Sequence, residues 1–84
     1  MELSDTDWGI LNLCSDNRET RKNIAAALDK SPNYISKELS KLSEMGLLKQ
    51  PGPAENSGMH VTTKKGEFVL SKQEKYERRQ SELF

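Results

Sequence analysis

The stretch from Ser31 to Leu48 constrains the fold more than any other part of the chain, because it carries the signals of one capped helix. Ser31 is a residue type that caps helices, and Pro32 suits the first helical position, where a missing N–H costs nothing. Gly46 can adopt the left-handed backbone conformation that closes a helix. The sequence therefore predicts a helix over residues 32–45.

This predicted helix has two opposite faces. Ile35, Leu39 and Leu42 recur at the spacing of a single helical face, which assigns that face to the core. The opposite face carries hydrogen-bonding and cationic side chains, with Glu44 as its one carboxylate. A helix that presents such a face can enter the major groove of DNA.

The flanking segments predict two helices before it and a hairpin after it. A first helix over about 5–14 begins with a capping-box variant, Ser4 and Asp7. Thr20 is predicted to cap a second helix, and the three residues 29–31 then leave only a tight turn. This is the spacing of a helix-turn-helix.

Two strands are predicted at 47–49 and 59–62, on either side of a polar loop rich in proline and glycine at 50–58. A hairpin in this place is a wing. Arg18 and Glu19 predict a further, very short extended piece. The fold class predicted is mainly α with a small β-hairpin (α+β), arranged as helix, helix, helix, strand, wing, strand, helix.

Thr63 is predicted to cap a last helix whose apolar pattern thins after Leu70 to a weak heptad of Val69, Tyr76 and Leu83. We interpret residues 63–84 as a dimerisation arm following a winged-helix domain at 1–70, with a solvated tail as the alternative. Trp8 either covers an edge of the core or faces a second subunit.

Length and charge bear on the partners of the chain. Its 84 residues, one third of them hydrophobic, can bury only a small core, so we expect a homodimer. The net charge is zero, but residues 1–17 carry four acidic and no basic groups, whereas residues 18–49 carry seven basic and four acidic groups. The positive excess surrounds the helix at 32–45, which suits a face directed toward phosphates.

The composition also argues against several classes of protein. The lone Cys14 cannot form an internal disulfide, no apolar run reaches the length of a membrane span, and the acidic N-terminus lacks a signal-peptide pattern. We expect a cytoplasmic, nucleoid-associated protein.

With one histidine, His60, and one cysteine, the sequence predicts no metal site and no cofactor. No catalytic constellation can be assembled, and we expect the Asp and Glu side chains to be exposed, so the chain is not predicted to be an enzyme. Every apolar position is needed for the core, so we expect little room for a ligand pocket and no small-molecule effector.

The order of elements matches the winged helix-turn-helix architecture, and over about residues 3–70 the sequence resembles a family within it. It is similar to small archaeal and phage-type transcriptional regulators, in particular the phi-H-repressor-like proteins of archaea, and more distantly to MarR-type regulators. The positions that carry the resemblance are Ile24, Ala25, Leu28, Tyr34, Ile35, Ser36, Leu39, Leu42, Gly46, Leu47 and Leu48.

The resemblance implies sequence-specific binding of double-stranded DNA by a dimer, and we expect a transcriptional regulator that acts as a repressor. It implies that the helix at 32–45 lies in the major groove and the wing at 50–58 on the backbone or minor groove. The base-reading positions that it implies are Asn33, Tyr34, Ser36 and Lys37.

The chemistry of these side chains gives each a role and an alternative. The amide of Asn33 can bond an adenine edge in two places and Lys37 can reach guanine acceptors, whereas both are otherwise solvated surface residues. Tyr34 either touches a thymine methyl or a phosphate, or packs at the edge of the core.

A second group of residues is predicted to bind phosphates. Thr20, Arg21 and Lys22 lie at a helix N-terminus, where free N–H groups and the dipole favour an anion. Further predicted backbone contacts are Ser40, Lys41, Lys49, Asn56, Ser57 and His60.

The alternative function is a winged-helix module for protein–protein interaction in a transcription or replication assembly. Zero net charge and a wing tip without Lys or Arg favour it.

Overall fold

The computed structural model describes the backbone of residues 3–50 and 59–83, and the side chains of 3–15, 17–50 and 59–73. Within these ranges the protein is mainly helical with a small antiparallel sheet, as predicted. The elements in chain order are α1 (Asp5–Asp16), β1 (Glu19–Thr20), α2 (Arg21–Leu28), α3 (Pro32–Glu44), β2 (Leu48–Lys49), β3 (Met59–Thr62) and α4 (Lys64–Leu83).

Side-chain caps fix the starts of the first three helices. At α1 the backbone N–H of Ser4 donates to the Asp7 carboxylate at 3.0 Å, and the N–H of Asp7 donates to the Ser4 hydroxyl at 3.2 Å, which completes the predicted capping box. The Thr20 hydroxyl accepts from the N–H of Asn23, and the Ser31 hydroxyl accepts from that of Tyr34. All three predicted caps are confirmed.

The far ends of the helices differ from prediction by one or two residues. Helix α1 continues to Asp16, two residues beyond the predicted end, and α3 ends at Glu44 with Met45 as its cap. Gly46 has φ 78°, the predicted left-handed conformation. Asp29, which closes α2, is also left-handed at φ 56°. Aspartate tolerates this conformation better than most residues, so the turn forms without glycine.

The sheet has three strands in the order β1-β3-β2, all antiparallel. The predicted hairpin is the β2–β3 pair, with Leu48 opposite Thr62. The short extended piece predicted at Arg18 and Glu19 lies one residue later, and its Glu19 pairs with His60. Thr20 ends this strand and caps α2 at once, because a helix cap adopts the same extended backbone as a strand.

One core lies between the helices and the sheet. The apolar face predicted for α3 is confirmed, since Ile35, Leu39 and Leu42 are all buried. Helix α1, α2, the segment around β2 and α4 complete this core with Ile10, Leu11, Cys14, Ile24, Ala25, Leu47, Leu48 and Leu70.

The end of α3, the sheet and the start of α4 are tied together closely. The Thr63 hydroxyl donates to the carbonyl of Gly46 at 2.6 Å and also accepts from the N–H of Gly66, as predicted for the cap of α4. A Cβ on Gly66 would lie 2.5 Å from the Leu47 carbonyl oxygen. Close backbone approach therefore requires glycine here. None of the described helices is long and apolar enough to cross a membrane.

Candidate nucleic-acid interface

The outer face of α3 is the centre of the candidate site. Asn33, Tyr34, Lys37 and Ser40 are all exposed on it. Tyr34 leaves 42% of its surface exposed, so it belongs to this face more than to the core. Three of the four residues predicted to read bases thus share one accessible surface.

The start of α2 borders this face with positive charge. Arg21 and Lys22 occupy its first two positions, and its first turn holds no acidic residue. The partial positive charge of a helix N-terminus repels cations and is usually balanced by carboxylates. Helix α1 shows that usual arrangement, with Asp5 and Asp7 in its first turn. The start of α2 is therefore unbalanced and suited to an anion.

Arg21 reaches from α2 to α3. Its Nη1 donates a hydrogen bond of 2.8 Å to the hydroxyl of Ser36, which lies on the flank of α3 next to α2. Ser36 is half-buried, and its hydroxyl is directed to Arg21. Ser36, the fourth residue predicted to read bases, thus lies next to the other three but is hydrogen-bonded to Arg21, which is itself predicted to bind phosphate.

A groove of about 710 Å³ runs between the start of α2, this flank of α3 and the sheet. Its lining residues are Thr20, Arg21, Lys22, Ser36, Leu39, Ser40, Ser43, Glu44, Gln50 and His60. The sequence predicted little room for a ligand pocket among the apolar positions, and this groove is instead lined mainly by residues with polar or charged side chains.

The opposite flank of α3 faces α1 and carries an ion-pair cluster. Lys41 Nζ lies 2.7 Å from Asp7 Oδ2 and 2.7 Å from Glu38 Oε2. Asp7 is fully buried, which contradicts the expectation that the acidic side chains are exposed. Two carboxylates compensate the charge of Lys41, so this environment disfavours the phosphate contact predicted for it.

The cluster shifts the pKa values of its members. Burial raises the pKa of the Asp7 carboxyl, but hydrogen bonding with Glu38, Lys41 and the Ser4 backbone, together with the charge of Lys41, lowers it by more. The net pKa of Asp7 therefore lies below its ordinary value of 3.8. Hydrogen bonds to Asp7 and Glu38 in turn raise the pKa of Lys41.

The remaining predicted phosphate contacts are distributed unevenly. Lys49 is exposed at the end of β2, but His60 is only 7% exposed, with its Nε2 3.4 Å from Gln50 Nε2. Burial leaves little of the His60 side chain accessible to a phosphate, and the predicted contact stays a prediction. Asn56 and Ser57 lie outside the described residues.

The residues predicted for dimerisation are only partly described. Trp8 and Val69 are half-buried and pack against the core, which agrees with the core-edge alternative for Trp8. The side chains of Tyr76 and Leu83 lie outside the described ones. Cys14 is a core residue. Its burial, and to a smaller extent the negative charge of Glu19, raises the pKa of its thiol to about 12.

No cluster of three or more His, Cys, Asp or Glu side chains suited to a metal ion occurs in the described parts of the chain. Two contacts of the candidate site were not predicted from the sequence, Arg21 with Ser36 and Lys41 with Asp7. The partners are 15 and 34 residues apart, beyond any local spacing rule.

The fold and its exposed helix are those of the winged-helix class, and comparison with solved structures confirms this. Wild-type ZitR of Lactococcus lactis superposes with a TM-score of 0.75 at 29% identity, over 99% of this chain and 59% of ZitR. A ZitR variant in complex with DNA gives 0.75 at 26%, over 93% and 55%.

The adhesin competence repressor AdcR of Streptococcus pyogenes gives a TM-score of 0.78 at 20% identity, over 98% of this chain and 61% of AdcR. The chain thus spans about three fifths of the length of these proteins. No protein-family model and no curated protein matches the sequence. The archaeal and phage part of the resemblance stays a prediction.

Proposed function

We propose that this protein is a transcriptional regulator that binds double-stranded DNA in a sequence-specific manner, as a homodimer and as a repressor rather than an enzyme. The observation that carries the proposal is the exposed polar face of α3 beside the acid-free start of α2, with Arg21 and Lys22. Two structural neighbours support it, since one ZitR structure is in complex with DNA and AdcR is a repressor by name.

In this proposal α3 lies in the major groove. Asn33 and Lys37 read base edges, because an amide matches adenine and a cation matches the guanine acceptors. Thr20, Arg21 and Lys22 hold the flanking phosphates from the start of α2. The wing at 50–58, preceded by Lys49, contacts the backbone or minor groove.

The groove beside α3 is part of the DNA interface in this proposal, and no small-molecule effector is invoked. Pockets for small molecules are lined mainly by apolar and aromatic side chains. Here Leu39 is the one apolar residue among the ten that line the groove. Hydroxyl groups and cationic side chains, which line much of the groove, donate hydrogen bonds to phosphate oxygens.

Selection of bound duplexes from a random pool tests the proposal most directly. We expect one enriched sequence, for which Asn33→Ala loses about 1–3 kcal/mol of affinity. Asn12→Ala is the matched control, because it removes an exposed amide from α1, outside the interface. Absence of any duplex binding at low salt would contradict the proposal and favour the protein-interaction alternative.

The dimer is tested separately by sedimentation of the full chain. We expect the mass of a dimer, built through the arm at 63–84 with Trp8, Val69, Tyr76 and Leu83. A chain ending at Gln73 should then sediment as a monomer. An unchanged dimer would show that the outer half of α4 is not the interface.

A further inference from the structure

The position of Arg21 is unfavourable for the helix that it begins. It is the first residue of α2, where the positive end of the helix dipole repels a cation. Neither a carboxylate in that turn nor an ion pair compensates it among the described residues. A residue that costs stability locally is a candidate for a functional role.

The exposed guanidinium of Arg21 has a neutral hydrogen-bond partner. The 2.8 Å hydrogen bond from Nη1 to the Ser36 hydroxyl crosses from α2 to α3 and directs the side chain along the groove. A hydroxyl carries no charge, so Arg21 keeps its full positive charge. The bond uses one of five N–H donors of the guanidinium, and the others can face a phosphate.

Ser36 is poorly placed for the base-reading role that the sequence predicted. It lies on the flank of α3 rather than on its outer face and is half-buried, whereas Asn33 and Lys37 are exposed. Its hydroxyl accepts the bond from Arg21. One lone pair of the Ser36 oxygen is therefore used within the protein, by a residue of the phosphate-binding group.

We propose that Ser36 is a positioning residue that holds the Arg21 guanidinium at the groove, so that a DNA phosphate meets a preordered cation. This inference rests on the proposed DNA binding. An arginine that is already ordered loses less conformational freedom when it binds, which increases affinity without a new contact to DNA. Ser36 thereby acts on affinity for every sequence and not on the choice of bases.

A double-mutant cycle on DNA affinity tests the proposal. Ser36→Ala, Arg21→Ala and the double variant are each titrated against the selected duplex and against a random duplex. We expect Ser36→Ala to weaken binding to both duplexes by the same factor, about fivefold. Arg21→Ala should weaken both by about tenfold or more. The double variant should bind no more weakly than Arg21→Ala.

Two further variants separate positioning from general damage to the groove. Ser36→Thr keeps the hydroxyl and should bind within about twofold of the wild type. Asn12→Ala removes an exposed side chain from α1, away from the groove, and it should likewise stay within about twofold. Circular dichroism confirms that each variant is folded before its affinity is compared.

Two results would overturn the role of Ser36. A loss confined to the selected duplex would show that Ser36 reads a base. Losses that multiply in the double variant would show that Ser36 and Arg21 act independently. Failure of the wild type to bind either duplex is a distinct result, because it would contradict the proposed function itself and the inference with it.

Discussion

Each flank of α3 contacts a cation that was predicted from the sequence to bind phosphate, but the partners of the two cations differ in charge. Toward the groove, Arg21 is bonded to the neutral hydroxyl of Ser36. Toward α1, Lys41 lies between the carboxylates of Asp7 and Glu38. A hydroxyl orients a cation and leaves its charge available, whereas two carboxylates neutralise it.

The two flanks of α3 therefore have different roles. The Lys41 cluster fastens α3 to α1, because Asp7 also belongs to the capping box of α1 and is fully buried. The Arg21 contact leaves positive charge at the groove. One flank therefore sets the orientation of α3, and the other presents α3 to DNA in the proposed function.

The largest effect expected on the α1 flank is that of Asp7→Ala. It removes the capping box and the carboxylate that fastens Lys41, and we expect the free energy of unfolding to fall by roughly 3 kcal/mol. Urea denaturation measures this. Asp5→Ala, an exposed change in the same turn, should cost about 0.5 kcal/mol. Equal losses would show that the buried cluster contributes no special stability.

Lys37 and Lys41 are one helical turn apart and should respond in opposite ways. We expect Lys37→Ala to lose about 1–3 kcal/mol of affinity for the selected duplex with little change in stability. Lys41→Ala should lose about 2 kcal/mol of stability, since it leaves Asp7 buried without its cation, and should keep DNA affinity within about twofold.

Mobility-shift titration of both lysine variants measures their DNA affinity, and urea denaturation measures their free energy of unfolding. Unchanged duplex binding by Lys37→Ala would show that the reading face is assigned wrongly. A loss of affinity in Lys41→Ala as large as in Lys37→Ala would return Lys41 to the DNA-binding set.

Acid should weaken the α1 flank in a way that Asp7→Asn reveals. The pKa of Asp7 is lower in the folded state than its ordinary value of 3.8, so its stabilisation is complete above that value and is lost as pH falls through the folded pKa. We expect the wild type to exceed Asp7→Asn by about 1–2 kcal/mol at neutral pH, and we expect this difference to shrink as pH falls below the ordinary pKa of the carboxyl. A gap that does not change with pH would contradict the shift.

Much of the fold could be predicted from the sequence because local signals determine it. The caps at Ser4, Thr20 and Ser31, the left-handed Gly46 and the apolar face of α3 all lie within a few residues of the structure they specify. Strand β1 lies one residue later than predicted, because no local rule shows that Thr20 both ends a strand and caps a helix.

The exposure of the candidate site residues could be predicted from the sequence, but their contacts could not. The outer face of α3 follows from helical geometry, so Asn33 and Lys37 lie exposed on one face as expected. The partners of Arg21 and Lys41 depend on how three helices pack, which spacing along the chain does not encode. For the same reason, the burial of Asp7 could not be predicted, and its side chain was expected to be exposed.

The salt dependence of binding to a random duplex tests the central contrast most directly. Wild type, Arg21→Ala and Lys41→Ala are titrated over a salt series, and the slope of log Kobs against log salt counts the phosphates neutralised. We predict that Arg21→Ala reduces the slope by about one and that Lys41→Ala leaves it unchanged. A wild type that binds no duplex at low salt, or a slope that Lys41→Ala reduces as much as Arg21→Ala does, would contradict this account.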